Sequence, residues 1–226
     1  MRNRLAKVLF VITLLLISLS AAKYAIADFH YQRAKASYDY LDIAKLKYAR
    51  ELNEIVDTLD QSLRFRRNSA DALDFKADLL YQSWWLSPDG QYLQDSQLLQ
   101  NALLLHEEAQ TDRKGWVFSV ARMALIYSHQ AELDSNFHQW FIESHRLGLY
   151  ETTIARSLMV VGLQNWAKLS ESQQSLTMDF IRASIEQKAN SAQAMVILLD
   201  GYHLRQEACE ALPNTPRKIA VCKEIS

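Results

Sequence analysis

The stretch Glu143–Ser170, ESHRLGLYETTIARSLMVVGLQNWAKLS, decides how this chain folds. It holds two of the chain's five glycines, Gly148 and Gly162, inside one apolar segment. Gly148 follows a helical pattern ending in His145 and Arg146 and precedes Glu151, an acidic residue suited to the first turn of a new helix. A left-handed cap is therefore expected at Gly148. Gly162 falls inside the next periodic run, where glycine costs roughly 1 kcal/mol relative to alanine, so its missing side chain must serve the close approach of a neighbouring helix. The segment reads as helix, turn, helix.

The same grammar extends in both directions. Downstream, SESQQSLTMDFIRASIEQ continues with Ser170 as N-cap, and a last helix runs from Ser191 through SAQAMVILLDGYHLRQEACEAL. Upstream, DSNFHQWFIESHRLG offers Asp134 or Ser135 as N-cap, with Phe137, Trp140, Phe141 and Ser144 facing inward. WVFSVARMALIYSHQAEL is apolar at Val120, Met123, Ala124 and Tyr127, and a further helix covers about 95–110. Earlier still, Leu73, Ala77 and Leu80 line one face until Pro88-Asp89-Gly90 forces a turn, and apolar residues from Leu46 to Leu63 recur three and four apart over 42–65. With only five Gly and three Pro, the chain lacks the turn residues of a many-stranded sheet.

Leu73-Lys76-Ala77-Leu80, Val120-Met123-Ala124-Tyr127 and Leu158-Val161-Gly162-Asn165 share the spacing of the large, Leu, small and aromatic positions of a tetratricopeptide helix. The small residues are 47 and 38 positions apart, against the usual ~34. The expected fold is all-α, a short irregular tetratricopeptide-like array of helical hairpins. Asn68 or Ser69 would cap the helix that carries Ala77.

The N-terminus, MRNRLAKVLFVITLLLISLSAAKYAIADF, sets Arg2, Arg4 and Lys7 before an uncharged run from Val8 to Ala22. Tyr24 to Ala27 would lengthen it to a membrane span of ~20 residues, with Lys23 snorkelling and the basic end cytoplasmic. Two outcomes stand side by side: a signal anchor over 1–27, or cleavage after Ala25-Ile26-Ala27. Either exports a helical-repeat domain over 28–208 and a tail over 209–226. In an oxidising compartment Cys209 and Cys222 pair, stapling what CEALPNTPRKIAVC presents as a turn, since Pro213 and Pro216 lie between them.

Removing Arg2, Arg4, Lys7 and Lys23 leaves 21 basic against 26 acidic residues, a balance opposed to nucleic acid and to anionic membrane surfaces. His106-Glu107-Glu108 lacks the second histidine of a zinc protease helix. His138 and His145 could share a face, but no acidic residue on it completes a metal site. Glu143, Glu151 and Glu171 are carboxylates that a polysaccharide-cleaving pair would need, though helix ends account for Glu151 and Glu171. No catalytic residue, metal ligand or cofactor is expected. Of the five tryptophans, Trp116, Trp140 and Trp166 fall on apolar faces and read as core. Trp84 and Trp85 are neighbours on a helix, so one faces inward and the other outward, and with Tyr92 they could stack on a sugar ring or anchor a partner.

A membrane segment, a tetratricopeptide-like pair, and then Leu147-Gly148, Tyr150-Glu151 and Gly162-Leu163-Gln164-Asn165-Trp166 resemble the VpsP-type family of bacterial exopolysaccharide biosynthesis proteins. Relatives in that family usually read Gly-Pro-Trp-Glu where this chain has Gly148-Leu149-Tyr150-Glu151. The resemblance implies a non-catalytic accessory protein on the periplasmic side of the inner membrane. It implies contacts with a polysaccharide polymerase, chain-length or export protein, in the making of a biofilm matrix.

Overall fold

A computed structural model describes residues 2–41, 50–86, 96–129, 133–187, 192–211 and 214–223. Among them every regular element is helical, in two compact units, Met1–Lys114 and Gly115–Ser226. The expected 28–208 domain thus contains a division, at the TDRKG turn where Gly115 takes φ +71°.

The first unit contains α1 (Arg2–Asp39), α2 (Arg50–Phe65), α3 (Ala70–Trp85) and α4 (Ser96–Asp112). α1 is long and apolar enough to cross a membrane, with large apolar side chains exposed from Val8 to Leu19. It continues unbroken past Ala27, so the boundary expected there lies inside a helix. α2 packs antiparallel on α1. Ser62 Oγ donates to the Ala27 carbonyl at 2.7 Å, and Ala34 shares one core with Leu52, Ile55, Leu59, Ala72 and Leu79. Tyr24 to Ala27, expected to extend the apolar span, continue α1, and Ala27 is 3% exposed beneath the end of α2. α3 and α4 form the next hairpin, with Ala77 fully buried at the expected small position.

The second unit contains α5 (Val117–Tyr127), α6 (Ser135–Gly148), α7 (Thr152–Gln164), a 3-10 turn (Trp166–Lys168), α8 (Glu171–Glu186), α9 (Ala192–Gly201), α10 (Arg205–Ala211) and α11 (Pro216–Cys222). α5 pairs with α6 and α7 with α8. Phe137, Phe141 and Phe180 are fully buried between α6 and α8, their rings 5.3 and 5.6 Å apart in sequence along the cluster. Burying each ring contributes up to ~3 kcal/mol. Asp134 caps α6 by accepting from the Phe137 amide at 2.9 Å, and the Ser170 amide donates to Gln173 Oε1 at 2.9 Å at the start of α8.

Three expectations change. Gly148 is not left-handed. It closes α6, Leu149 follows in right-handed helical geometry, and a Cβ at Gly148 would stand 2.6 Å from Val117 Cγ2 and 2.7 Å from Ile154 Cγ2. Its glycine serves packing, because α5 and α7 both press on that point. The last helix is not continuous either: α9 stops at Gly201, His203 adopts φ +58°, and the Leu204 amide bonds back to the Leu199 carbonyl at 2.9 Å. This is a Schellman-type ending with histidine at the position glycine favours. His203→Gly is therefore expected to stabilise the second unit by ~0.5–1 kcal/mol, read as a higher midpoint in thermal unfolding. Finally, Cys209 and Cys222 lie on α10 and α11 rather than on a bare turn. Pro216 starts α11 at a position that has no use for an N–H, and Pro213 lies outside the described residues.

Candidate functional site

Aromatic side chains gather at the C-terminal end of α3 because Tyr81, Trp84 and Trp85 fall on its last turn. Trp84 lies 6.0 Å from Tyr81 and 5.2 Å from Trp85, ring centre to ring centre. Trp84 is 8% exposed and belongs to the packed side, whereas Trp85 is 49% exposed. The pair splits inward and outward as the 100° step of a helix requires. Only Trp85 of the two presents a large face to solvent. Tyr92, the third member of the expected aromatic set, lies outside the described residues, as does the Pro88 turn.

Beside this cluster, α2, α3 and α4 leave a shallow groove of about 350 Å³ lined by Val56, Lys76, Leu80, Asn101, Leu104 and Leu105. Leu104 is 62% exposed there, and Lys76 is held by Asp60 at 2.5 Å. The groove is apolar in its walls with one cation, Lys76, and one amide, Asn101.

Three of the six histidines, His106, His138 and His145, have side-chain partners on another helix. His106 is buried between α4 and α3, where its Nδ1–H donates to Asp74 Oδ1 at 2.9 Å and its Nε2 stands 3.8 Å from Asp78 Oδ1. The two aspartates are four apart on α3, so the His106 ring lies against consecutive turns of that helix. Sequence reasoning weighed His106 only against Glu107 and Glu108, because the 32-residue separation from Asp74 conceals the partnership. His106→Ala is expected to lower the stability of the first unit by ~2–4 kcal/mol through the lost bond and the cavity, measured by chemical denaturation. His138 and His145 do face one neighbour, α8, where His138 meets Gln173 and His145 meets Asp179 at 3.0 Å. The acid missing from their own helix is supplied across the interface. Among the described residues, no three His, Cys, Asp or Glu side chains converge as metal ligands.

The carboxylates have local duties. Glu143 forms a two-pronged pair with Arg146, at 2.5 and 2.8 Å, and this hydrogen bonding holds its carboxyl below the usual range. Glu151 is the N-cap of α7 and accepts from the Thr153 amide at 3.3 Å, one position before the first turn where it was expected.

The motif around Gly162 is structural. Gly162 is buried on α7, and a Cβ there would stand 2.9 Å from Thr177 Cβ on α8 and closer still to its Oγ1 and Cγ2. The close approach is inside the α7–α8 hairpin. Trp166 sits in the 3-10 turn that follows, half-buried, with Gln174 Nε2 donating to its carbonyl at 3.0 Å. Trp116 and Trp140, also expected in the core, are half-buried as well. Trp116 lies at the cap of α5, tilted 5.2 Å from the exposed Phe118, so helix ends rather than helix faces govern it.

In comparison with known proteins, no family model matches the chain and no curated protein matches it significantly.

Proposed function

We propose that the chain is a membrane-held helical scaffold, without catalysis of its own, that assists polymerisation or export of a bacterial exopolysaccharide through protein–protein contacts in the periplasm. The observation that carries the scaffold reading is the continuity of α1. The helix that is apolar enough to cross a membrane is also the helix whose Ala27 and Ala34 pack under α2, so the first unit would be carried by the span through one continuous helix and would approach the bilayer surface by tilting with it. Helical hairpins joined to a span in this way suit docking against an integral membrane protein. The polysaccharide pathway enters through the likeness of the Gly148–Trp166 motif to the VpsP-type family, and the partners would be polymerase, chain-length or export components of the inner membrane.

Site-specific photocrosslinking from Leu104 and Trp85 in living cells tests the proposal. Adducts with envelope polysaccharide proteins, together with reduced matrix output on gene deletion, are expected. Adducts absent from both positions, or matrix output unchanged, would overturn it. N-terminal sequencing of the protein recovered from cells distinguishes a retained anchor from cleavage after Ala27.

A second reading has one observation in its favour: the exposed face of Trp85, which could stack on a sugar ring in a carbohydrate-binding module. Titrating tryptophan fluorescence with the cell's own polysaccharide separates the two. A shift lost in Trp85→Ala supports direct binding, and no shift removes it.

A further inference from the structure

We propose that the arginine-rich turn between α2 and α3 is a lipid-docking surface that engages the phosphate groups of anionic phospholipids on the membrane face from which α1 emerges. The inference rests on the anchor reading above and adds a second point of attachment to it.

The helix directions place the turn. α2 runs back along α1 until the Arg66 guanidinium lies over the Tyr24 ring, 5.2 Å from its centre. At 1.5 Å per residue, Tyr24 is only ~3 Å beyond Ala22, where the uncharged run ends. Arg66 therefore stands within about one helical turn of the end of the apolar run, close to the level where hydrocarbon gives way to headgroups. α3 begins at this end and α4 returns to it, as the 2.6 Å pair between Asp71 and Arg113 shows. Arg64, Arg66, Arg67, Lys114 and Lys23 are consequently all exposed at one end of the unit. The chain's net acidity argued against anionic membranes, yet it averages over a domain whose cations collect beside the span.

The surroundings agree with this assignment. Exposed Tyr24, Phe29 and Phe65 occupy the same end, where aromatic rings prefer the interface between lipid and water. Acidic groups are present too: Asp112 is exposed at the end of α4, Asp71 is paired with Arg113, and Asp28 and Asp71 both line a polar cleft of about 150 Å³ with Tyr31, Ser62 and Arg66. Two carboxylates against one guanidinium give the cleft a negative character. The phosphate contact is therefore assigned to the outward-facing arginines and not to the cleft.

The full chain, reconstituted in vesicles of zwitterionic lipid or with about one third phosphatidylglycerol, provides the test. A fluorophore on Asn68→Cys, in the turn itself, reports proximity to a quencher carried on lipid headgroups. Cys209 and Cys222 are joined to each other, so the new thiol labels alone. Stronger quenching is expected in the anionic vesicles, and it should weaken when salt shortens the screening length below ~10 Å. Arg64→Gln and Arg67→Gln should each reduce the docked-to-undocked ratio about fivefold, with the helical spectrum unchanged. Arg66 is left in place because it contacts α1. Resistance to alkaline extraction reports separately on α1. Retention in the bilayer with quenching indifferent to lipid charge and to both substitutions overturns the lipid-docking surface alone, whereas release by alkali overturns the anchor and the surface together.

Discussion

Replacing Gly162 with leucine is expected to lower the unfolding midpoint of the second unit by roughly 10–20 °C, corresponding to a loss of at least ~3 kcal/mol. Two effects oppose each other at this position. Removing glycine from a helix interior gains up to ~1 kcal/mol, and adding a Cβ drives it against Thr177. The second effect wins because Thr177 cannot step aside: it is fully buried, and its hydroxyl donates to the Gln173 carbonyl of its own helix at 2.9 Å. Even Gly162→Ala should therefore destabilise, by ~1–2 kcal/mol. The double variant Gly162→Ala/Thr177→Ala tests the cause. It removes the Oγ1 and Cγ2 contacts and leaves only the 2.9 Å approach to Cβ, so it should recover most of the loss. Simple additivity of the two substitutions would mean that α7 and α8 do not meet here.

The hairpin succession was legible because apolar residues at three- and four-residue spacing report directly on which face of a helix is covered. Ala77, Ala124 and Gly162, chosen as small positions from spacing alone, are all buried in their hairpins. What spacing cannot supply is the partner across an interface. Gly162 announced close packing but not Thr177, and His106 gave no sign of Asp74, since each partner sits on another helix whose register is a tertiary fact. Glycine itself misled at Gly148 for a related reason. Its two distinct virtues, left-handed conformations and lack of volume, look identical in a sequence, and the structure uses the second. The left-handed ending falls instead to His203, a residue that adopts it more readily than most but at a cost glycine does not carry.

Candidate function was less legible than fold, and the tryptophans show why. Helical geometry separated Trp84 from Trp85 but could not say which faced solvent until the α3–α4 packing did. Net charge was similarly uninformative, because its sign over the whole domain differs from its sign at the end where α1 leaves the first unit. Distribution along helix axes, which follows from the antiparallel order of α1 to α4, carries the information that a sum discards.

Reducing the Cys209–Cys222 bond, or replacing both residues with serine, is expected to cost about 3 kcal/mol, concentrated in the last thirty or so residues. The two sulfurs join helices whose Cα atoms are 5.8 Å apart at the bridge. α10 and α11 have seven residues each, well below the length at which a helix holds itself together in water. Their order depends on tertiary ties. Ala208 and Val221 are buried, and Arg205 donates to the carbonyls of Val221 at 3.0 Å and Lys223 at 2.7 Å, closing the C-terminal end of α11. These bonds are partly exposed and few, so they cannot replace the lost crosslink once the unfolded tail regains its full freedom. Hydrogen exchange should accelerate in α10 and α11 on reduction while α5 to α7 change little, and the melting of the second unit should fall in parallel. Protection of α10 and α11 that survives reduction would show that Arg205 and the buried Ala208 and Val221 suffice, leaving the disulfide without a stabilising role.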